Sequence, residues 1–198
     1  MLKKPITDVF FDLDHTLWDF ERNSALTYQE LFQDFDLDVD LDSFLGHYVP
    51  LNLLFWKAFR EGRISKEKLR YERLKTVFDR MELRVSDRQI NYLSEAYIDN
   101  LSLHTHLLPN CMEILEYLHK SYKMHIITNG FEEVQTRKLL NSGISHYFRT
   151  VVNSDRAGVK KPDPRIFNMA IEAAGIRPES GVMIGDSLEA DIRGARAV

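Results

Sequence analysis

A short apolar run near the N-terminus leads directly into two aspartates. Residues 9–11 (Val-Phe-Phe) are followed by Asp12 and Asp14, which stand two positions apart, and then by Thr16. A short apolar run with polar ends is typical of a buried strand in a parallel sheet, whose carboxyl end is where α/β sheets bind ligands. Two close carboxylates repel each other, and a divalent cation such as Mg²⁺ relieves that repulsion. Alone, the pair fits a solvated turn equally well, so the choice depends on the rest of the chain.

Helical periodicity replaces the strand pattern between about residue 20 and residue 102. Apolar side chains recur there at spacings of three and four residues in four successive stripes, which predicts four amphipathic helices. Ser65 and Ser86 are placed to cap two of these helices, and Gln89 completes a capping-box spacing with Ser86. Four consecutive helices inserted after one strand predict a helical bundle that packs as a unit of its own.

Strands and helices alternate from residue 107 onwards. Apolar runs at residues 124–127, 150–152 and 182–184 read as strands, and each is followed by a segment that can form a helix. Asp163 and Pro164 are typical of the N-cap and first position of such a helix. Strands that alternate with helices predict a parallel sheet covered on both faces.

The predicted fold class is therefore α/β, a doubly wound parallel sheet of Rossmann-like type with an inserted helical-bundle domain. We assign residues 1–18 and 104–198 to the α/β core and residues 19–103 to the helical domain.

Composition narrows the range of partners. The 198-residue chain has a formal net charge of −4, which gives it no basic footprint for nucleic acid, and no apolar run is long enough to span a membrane. Cys111 is the only cysteine, so no internal disulfide can form, which fits a reducing cytoplasm. We expect a cytoplasmic monomer or homodimer whose partner is a small molecule.

Four polar clusters each follow a predicted strand, and the ends of parallel strands meet at one edge of a sheet. In chain order the clusters are Asp12/Asp14/Thr16, Thr128/Asn129/Gly130, Lys160/Lys161/Pro162, and Gly185/Asp186/Ser187 with Asp191. Together they offer a nucleophile, an acid/base, phosphate donors, a cation and a metal ligand, which is a complete set for phosphoryl transfer. Each cluster alone also fits a feature without a catalytic role, such as a strand-to-helix turn, a surface lysine or an acidic residue near a helix N-terminus.

In this order, the four clusters resemble the four motifs of the haloacid dehalogenase-like superfamily, and the resemblance covers the whole chain. The helical insert is similar to the type 1 cap of that superfamily. The residues at positions 16–20, 128–131 and 134–135 resemble the noncanonical pyrimidine 5′-nucleotidase branch more closely. The dehalogenases that name the superfamily lack a carboxylate at the place of Asp14 and need no Mg²⁺, so an aspartate there implies a phosphatase or a phosphomutase.

The resemblance implies a role for each catalytic residue. Asp12 would be the nucleophile that forms an aspartyl-phosphate, and Asp14 would protonate the leaving oxygen and later activate water. Lys161 would balance the negative charge of Asp12 and the phosphate. We choose it over Lys160 because it directly precedes Pro162, as the family lysine does.

The same resemblance implies a phosphate-binding set. Thr128 would donate its hydroxyl to the phosphate, aided by the backbone N–H groups of Asn129 and Gly130.

Mg²⁺ is the implied cofactor. Its protein ligands would be the carboxylates of Asp12 and Asp186 and the backbone carbonyl of Asp14. Asp191 would orient Lys161 or reach the metal through water.

Two aromatic rings stand just after the nucleophile. Trp18 and Phe20 could stack on a nucleobase and set substrate specificity, or they could pack within the core.

The sequence thus predicts a Mg²⁺-dependent phosphomonoester hydrolase, with nucleoside 5′-monophosphates as the leading substrates. The alternatives are a sugar or phosphoglycolate phosphatase and a β-phosphoglucomutase-like phosphomutase. A more distant one is a receiver domain, which also accepts phosphate on an aspartate.

Overall fold

The computed structural model describes residues 5–198 and contains two compact units. One unit comprises the chain up to Phe20 together with Thr105–Val198, and the other is Glu21–His104. All four strands belong to the first unit, and the second is helical.

A four-stranded parallel sheet forms the centre of the first unit. Its strands are β1 (Asp8–Phe11), β2 (Lys123–Thr128), β3 (Phe148–Asn153) and β4 (Gly181–Ile184), in the order β3-β2-β1-β4. All four residues of β1 are buried, as expected for a strand with a neighbour on each side and covered faces. The sheet confirms the predicted α/β class, and it brings the carboxyl ends of all four strands to one edge.

Helices connect the strands of the first unit, and one helical segment follows the last strand. The connecting α-helices are α5 (Cys111–His119), α6 (Glu132–Asn141), α7 (Ser154–Ala157) and α8 (Pro164–Ala174), and the segment after β4 is a π-helix at Leu188–Arg193. Helix α8 begins as predicted, because the Asp163 side chain accepts from the backbone N–H of Arg165 and Pro164 takes the first position. Gly175 ends this helix with a φ of 68°, in the left-handed region that favours glycine.

An apolar cluster fixes α8 against the sheet. It joins one side chain from each of three strands to three from the helix: Phe10, Ile127, Val152, Ile166, Phe167 and Ala170. Full burial of a large apolar side chain stabilises a fold by about 1.5–3 kcal/mol, so this cluster holds the strands whose ends carry the polar residues.

The helical unit is built from four α-helices, α1 (Phe20–Asp34), α2 (Leu41–Arg60), α3 (Lys66–Arg80) and α4 (Asp87–Asn100), followed by a short 3-10 helix at Leu101–Leu103. Ser65 caps α3, and Ser86 with Gln89 forms a complete capping box at the start of α4, as the sequence predicts. Aromatic rings from α2 and α4 pack around the fully buried Tyr28 of α1.

One charged side chain lies inside this aromatic core. Arg73 is 2% exposed, donates to the side-chain oxygen of Asn52 at 3.0 Å, and lies 5.0 Å from the centre of the Tyr97 ring.

Among the described residues, no helix combines the length and the apolar character needed to cross a bilayer.

Candidate active site

A buried lysine links the first polar cluster to the last. Lys161 is 2% exposed, and its Nζ donates to Asp12 Oδ1 at 2.6 Å, to Asp191 Oδ1 at 2.6 Å and to the backbone oxygen of Ile127 at 2.7 Å. Three donors of one ammonium group are thereby matched with three acceptors from separate segments. The side chains of residues 12, 161 and 191 therefore meet at the sheet edge, although up to 179 positions separate them in the sequence.

Burial and neighbouring charges shift the pKa values of three charged side chains at this site. Burial raises the pKa of Asp12 to about 7, and the attraction of Lys161 offsets this only in part. Partial desolvation by the neighbouring residues also raises the pKa of the carboxyl group of Asp186, although the residue is exposed. Burial alone would lower the pKa of Lys161, but Asp12 and Asp191 outweigh it, so that pKa is raised and the lysine stays charged.

Three carboxylates of this site can share one cation. Asp12, Asp186 and Asp191 each offer an oxygen, and these oxygens lie within 4.8 Å of one another. Both oxygens of Asp191 already accept, one from Lys161 and the other from the backbone N–H of Ser187 at 3.0 Å. Asp12 and the exposed Asp186 are therefore better placed as direct ligands, and a hard oxygen-preferring cation such as Mg²⁺ fits this donor set.

Two contacts keep the last cluster in place. The backbone N–H of Asp186 donates to the Thr16 hydroxyl at 3.1 Å, which joins the first cluster to the fourth. A Cβ atom on Gly185 would lie 2.3 Å from Asp191 Oδ2, so only glycine lets Asp191 reach its position.

Asn129 joins the second cluster to the third. Its side-chain amide donates to the backbone oxygen of Lys161 at 3.0 Å, and its side-chain oxygen accepts from the backbone N–H of Lys161 at 2.7 Å. Ser154 in turn donates to the Asn129 backbone oxygen at 3.1 Å. The side chain of Asn129 thus fixes the backbone from which Lys161 reaches Asp12.

Helix α6 supplies two donors that were not among the predicted site residues. Gln135 Nε2 donates to Asp14 Oδ2 at 3.0 Å and to the Thr128 hydroxyl at 2.7 Å, while Lys138 Nζ pairs with Asp14 Oδ1. Both side chains are buried, at 1% and 2% exposure. The sequence did hold a signal for them, because Gln135 and Lys138 stand on the same helical face as the buried Val134 and Leu139. A lysine in such a stripe needs a partner.

Trp18 and Phe20 are buried in this structure, at 0% and 7% exposure. The indole N–H of Trp18 donates to the Ser142 hydroxyl at 3.1 Å, and Lys138 Nζ lies 4.1 Å from the centre of the Trp18 ring. Base stacking on either ring would require that ring to become exposed. The contacts seen here instead support the alternative of core packing, in which Trp18 is a neighbour of the Lys138–Asp14 pair.

Comparison with known proteins gives a consistent picture. A family model described as haloacid dehalogenase-like hydrolase matches residues 8–198. The chain is 31% identical over 188 residues to the pyrimidine 5′-nucleotidase PynA of Streptococcus pneumoniae, covering 94% of this chain and 78% of PynA. It is 32% identical over 187 residues to the pyrimidine 5′-nucleotidase YjjG of Escherichia coli, covering 94% and 80% of the two chains.

Among solved structures, this fold is similar to that of the hydrolase YfnB from Bacillus subtilis, determined with magnesium bound. The two superpose with a TM-score of 0.88 at 27% identity, over 98% of this chain and 86% of YfnB.

Proposed function

Because this chain belongs to the haloacid dehalogenase-like hydrolase family, we propose that it hydrolyses nucleoside 5′-monophosphates through an aspartyl-phosphate on Asp12. The observation that carries this proposal is the Lys161 ammonium held between Asp12 and Asp191, with the carboxylate of Asp186 beside them. Under this proposal Asp12 is the nucleophile, Lys161 is the fixed positive charge, and Asp12 with Asp186 forms the cation site, which together supply what phosphoryl transfer needs.

In the first step, a carboxylate oxygen of Asp12 attacks phosphorus, and the bond between phosphorus and the ester oxygen breaks. Asp14 gives a proton to the departing alcohol oxygen. Lys161 balances the negative charge that gathers on Asp12 and the phosphoryl group. The Thr128 hydroxyl and the backbone N–H groups of Asn129 and Gly130 hold the phosphoryl oxygens.

In the second step, water attacks the phosphorus of the aspartyl-phosphate, and Asp14 takes up a proton from that water. The Asp12 carboxylate is thereby restored and inorganic phosphate leaves. When bound by Asp12, Asp186 and the backbone carbonyl of Asp14, Mg²⁺ supplies the positive charge that lets a phosphate dianion approach a carboxylate.

The choice of nucleotides as substrates rests on the relatives. Two proteins that match 94% of this chain are named pyrimidine 5′-nucleotidases. Sugar phosphates and phosphoglycolate are the competing substrates, and transfer of phosphate between sugar positions is the competing reaction. A phosphomutase would exchange phosphate with little net release, and a receiver domain would not turn over many times.

Phosphate release by the full chain with Mg²⁺ tests the proposal. The substrate panel contains pyrimidine and purine nucleoside monophosphates, sugar phosphates and phosphoglycolate, and kcat/KM is measured for each. We expect the highest kcat/KM values for nucleotides. The Asp12→Asn variant should release no phosphate from any of the substrates. Asp38→Asn, the same change at an exposed position in the helical unit, is the matched control and should behave like wild type.

Higher kcat/KM for a sugar phosphate than for every nucleotide would overturn the substrate assignment and leave the chemistry standing. Substantial turnover by pure Asp12→Asn protein would remove Asp12 as the nucleophile.

A further inference from the structure

The carboxylate of Asp14 is held on both of its oxygens by one helix. Lys138 of α6 pairs with Oδ1, and Gln135 of the same helix donates to Oδ2 at 3.0 Å. Asp14 comes after strand β1 and α6 after strand β2, so the contact spans 124 positions of sequence. Neither donor belongs to the four sequence clusters.

Three polar side chains of α6 and its C-cap residue lie on one face of the helix and contact the segment from Asp14 to Trp18. Gln135, Lys138 and Ser142 follow one another at spacings of three and four residues, which places them in a row along the helix. Lys138 contacts both Asp14 and the face of the Trp18 ring, and Ser142 accepts the indole N–H of Trp18. These three side chains therefore contact the chain at two residues, Asp14 and Trp18, which lie four positions apart.

Gly130, in the second cluster, leaves room for the side chain of Gln135. A Cβ atom on Gly130 would lie 2.3 Å from the side-chain carbonyl carbon of Gln135, so a larger residue there would displace Gln135. Gln135 also donates to Thr128 at 2.7 Å, which ties Asp14 to the predicted phosphate-binding residue.

We propose that Lys138 is a positioning residue that holds the Asp14 carboxyl group where it can transfer a proton to and from the leaving oxygen. This proposal rests on the function proposed above, because it needs Asp14 to act as the acid and base. Lys138 itself touches neither substrate nor phosphate in this scheme. It acts by fixing the position of Asp14, and Gln135 provides the second contact to the same carboxylate.

A purely structural role explains these contacts less well. A buried ion pair is weak evidence for stability, since well-packed apolar residues of similar volume often stabilise a fold as much or more. What a buried lysine adds is a fixed direction for its partner, and proton transfer depends strongly on the position of the acid. Asp14 itself is partly exposed, with 23% of its side chain accessible, so it needs such a hold more than a buried residue does.

Leaving-group dependence separates positioning of an acid from general damage to the site. A nucleoside leaves as an alkoxide unless it is protonated, so its release depends on Asp14. The phenol of p-nitrophenyl phosphate is far more acidic and leaves without that proton. The value of kcat/KM reports the steps up to departure of the leaving group. A comparison of kcat/KM between the two esters therefore reveals how much the acid contributes to that departure.

The experiment compares wild type, Lys138→Met and Lys138→Arg in the presence of Mg²⁺, with Lys120→Met as the control at an exposed lysine of the same unit. General acid catalysis contributes on the order of 10²–10⁴-fold, so we expect Lys138→Met to lower kcat/KM for the nucleotide by about 10-fold or more. The value for p-nitrophenyl phosphate should fall by much less. Lys138→Arg should recover most of the lost nucleotide activity, and Lys120→Met should leave the ratio of the two values unchanged.

Equal losses for the two esters in Lys138→Met, with wild type active on both, would overturn the positioning role and leave the proposed function standing. A wild-type protein that releases no phosphate from either ester would overturn the proposed function, and the role of Lys138 with it. If Lys138→Met does not fold, Gln135→Leu removes the other hold on Asp14. It should show the same unequal loss, and equal losses in that variant would count against the proposal.

Discussion

Replacing Lys161 by methionine would remove the one ammonium group that Asp12 and Asp191 share. The lysine is 2% exposed and makes three hydrogen bonds of 2.6–2.7 Å, two of them to carboxylates. Methionine keeps much of the volume and carries no charge. The variant would therefore leave two buried carboxylates facing each other without a counter-charge.

The expected cost follows from those contacts. Removing one partner of a buried ion pair costs roughly 3–5 kcal/mol, because the remaining charge is left uncompensated. We therefore expect the metal-free variant to lose about 3–5 kcal/mol of unfolding free energy at pH 8. The loss should be smaller at pH 5, because the pKa of Asp12 is already raised to about 7 and a protonated carboxyl group needs no cation. Adding Mg²⁺ at pH 8 should also reduce the loss.

Denaturant unfolding followed by tryptophan fluorescence measures this quantity. The chain has two tryptophans, of which Trp18 lies in the sheet-containing unit and Trp56 in the helical unit. In a Trp56→Phe background, the signal reports the unit that holds Lys161. Lys160→Met removes the same charge one residue earlier, at a half-buried position, and serves as the control.

Equal unfolding free energies for Lys161→Met and Lys160→Met at pH 8 would refute this reasoning. A loss that does not change between pH 5 and pH 8 would show that lost packing, and not uncompensated charge, is the cause.

Three further predictions concern pH, metal and the helical unit. Because the pKa of Asp12 is raised from 3.8 to about 7, the folded state binds the extra proton in that window, so the unfolding free energy of the metal-free protein should fall as pH rises from about 4 to about 7. Asp12→Asn should flatten that fall, and an unchanged pH profile in the variant would contradict it. Chelation of divalent cations should stop phosphate release, and Asp186→Asn should raise the Mg²⁺ concentration needed for half-maximal activity, whereas an unchanged Mg²⁺ requirement would exclude Asp186 as a ligand. Ser86→Ala should cost about 1 kcal/mol, because it breaks the capping box with Gln89, and unfolding followed by Trp56 fluorescence in a Trp18→Phe background should detect it.

Features set by local sequence could be predicted well. Asp163 with Pro164 and Ser86 with Gln89 mark helix starts through contacts within four residues, and the structure places both as expected. The edge at which Asp12 and Asp186 meet was also predictable, because parallel strands in one sheet place their carboxyl ends together.

Contacts between distant side chains could not be predicted in the same way. The spacing of Lys138 from Val134 and Leu139 can place it on the inner face of α6, but no local rule identifies Asp14, 124 positions earlier, as its partner. Arg73 is a similar case, since an arginine in α3 is expected at the surface and is instead enclosed by aromatic rings. Helix α7 has only four residues, too few for any periodicity to appear.

Chemical trapping during turnover tests the nucleophile most directly. Protein mixed with Mg²⁺ and its best nucleotide is quenched in acid and treated with borohydride, which reduces an aspartyl-phosphate to homoserine, and the peptides are mapped by mass spectrometry. We predict homoserine at position 12, and none there when substrate or Mg²⁺ is omitted. Steady phosphate release with an unmodified Asp12, or with the modification at another aspartate, would contradict the account.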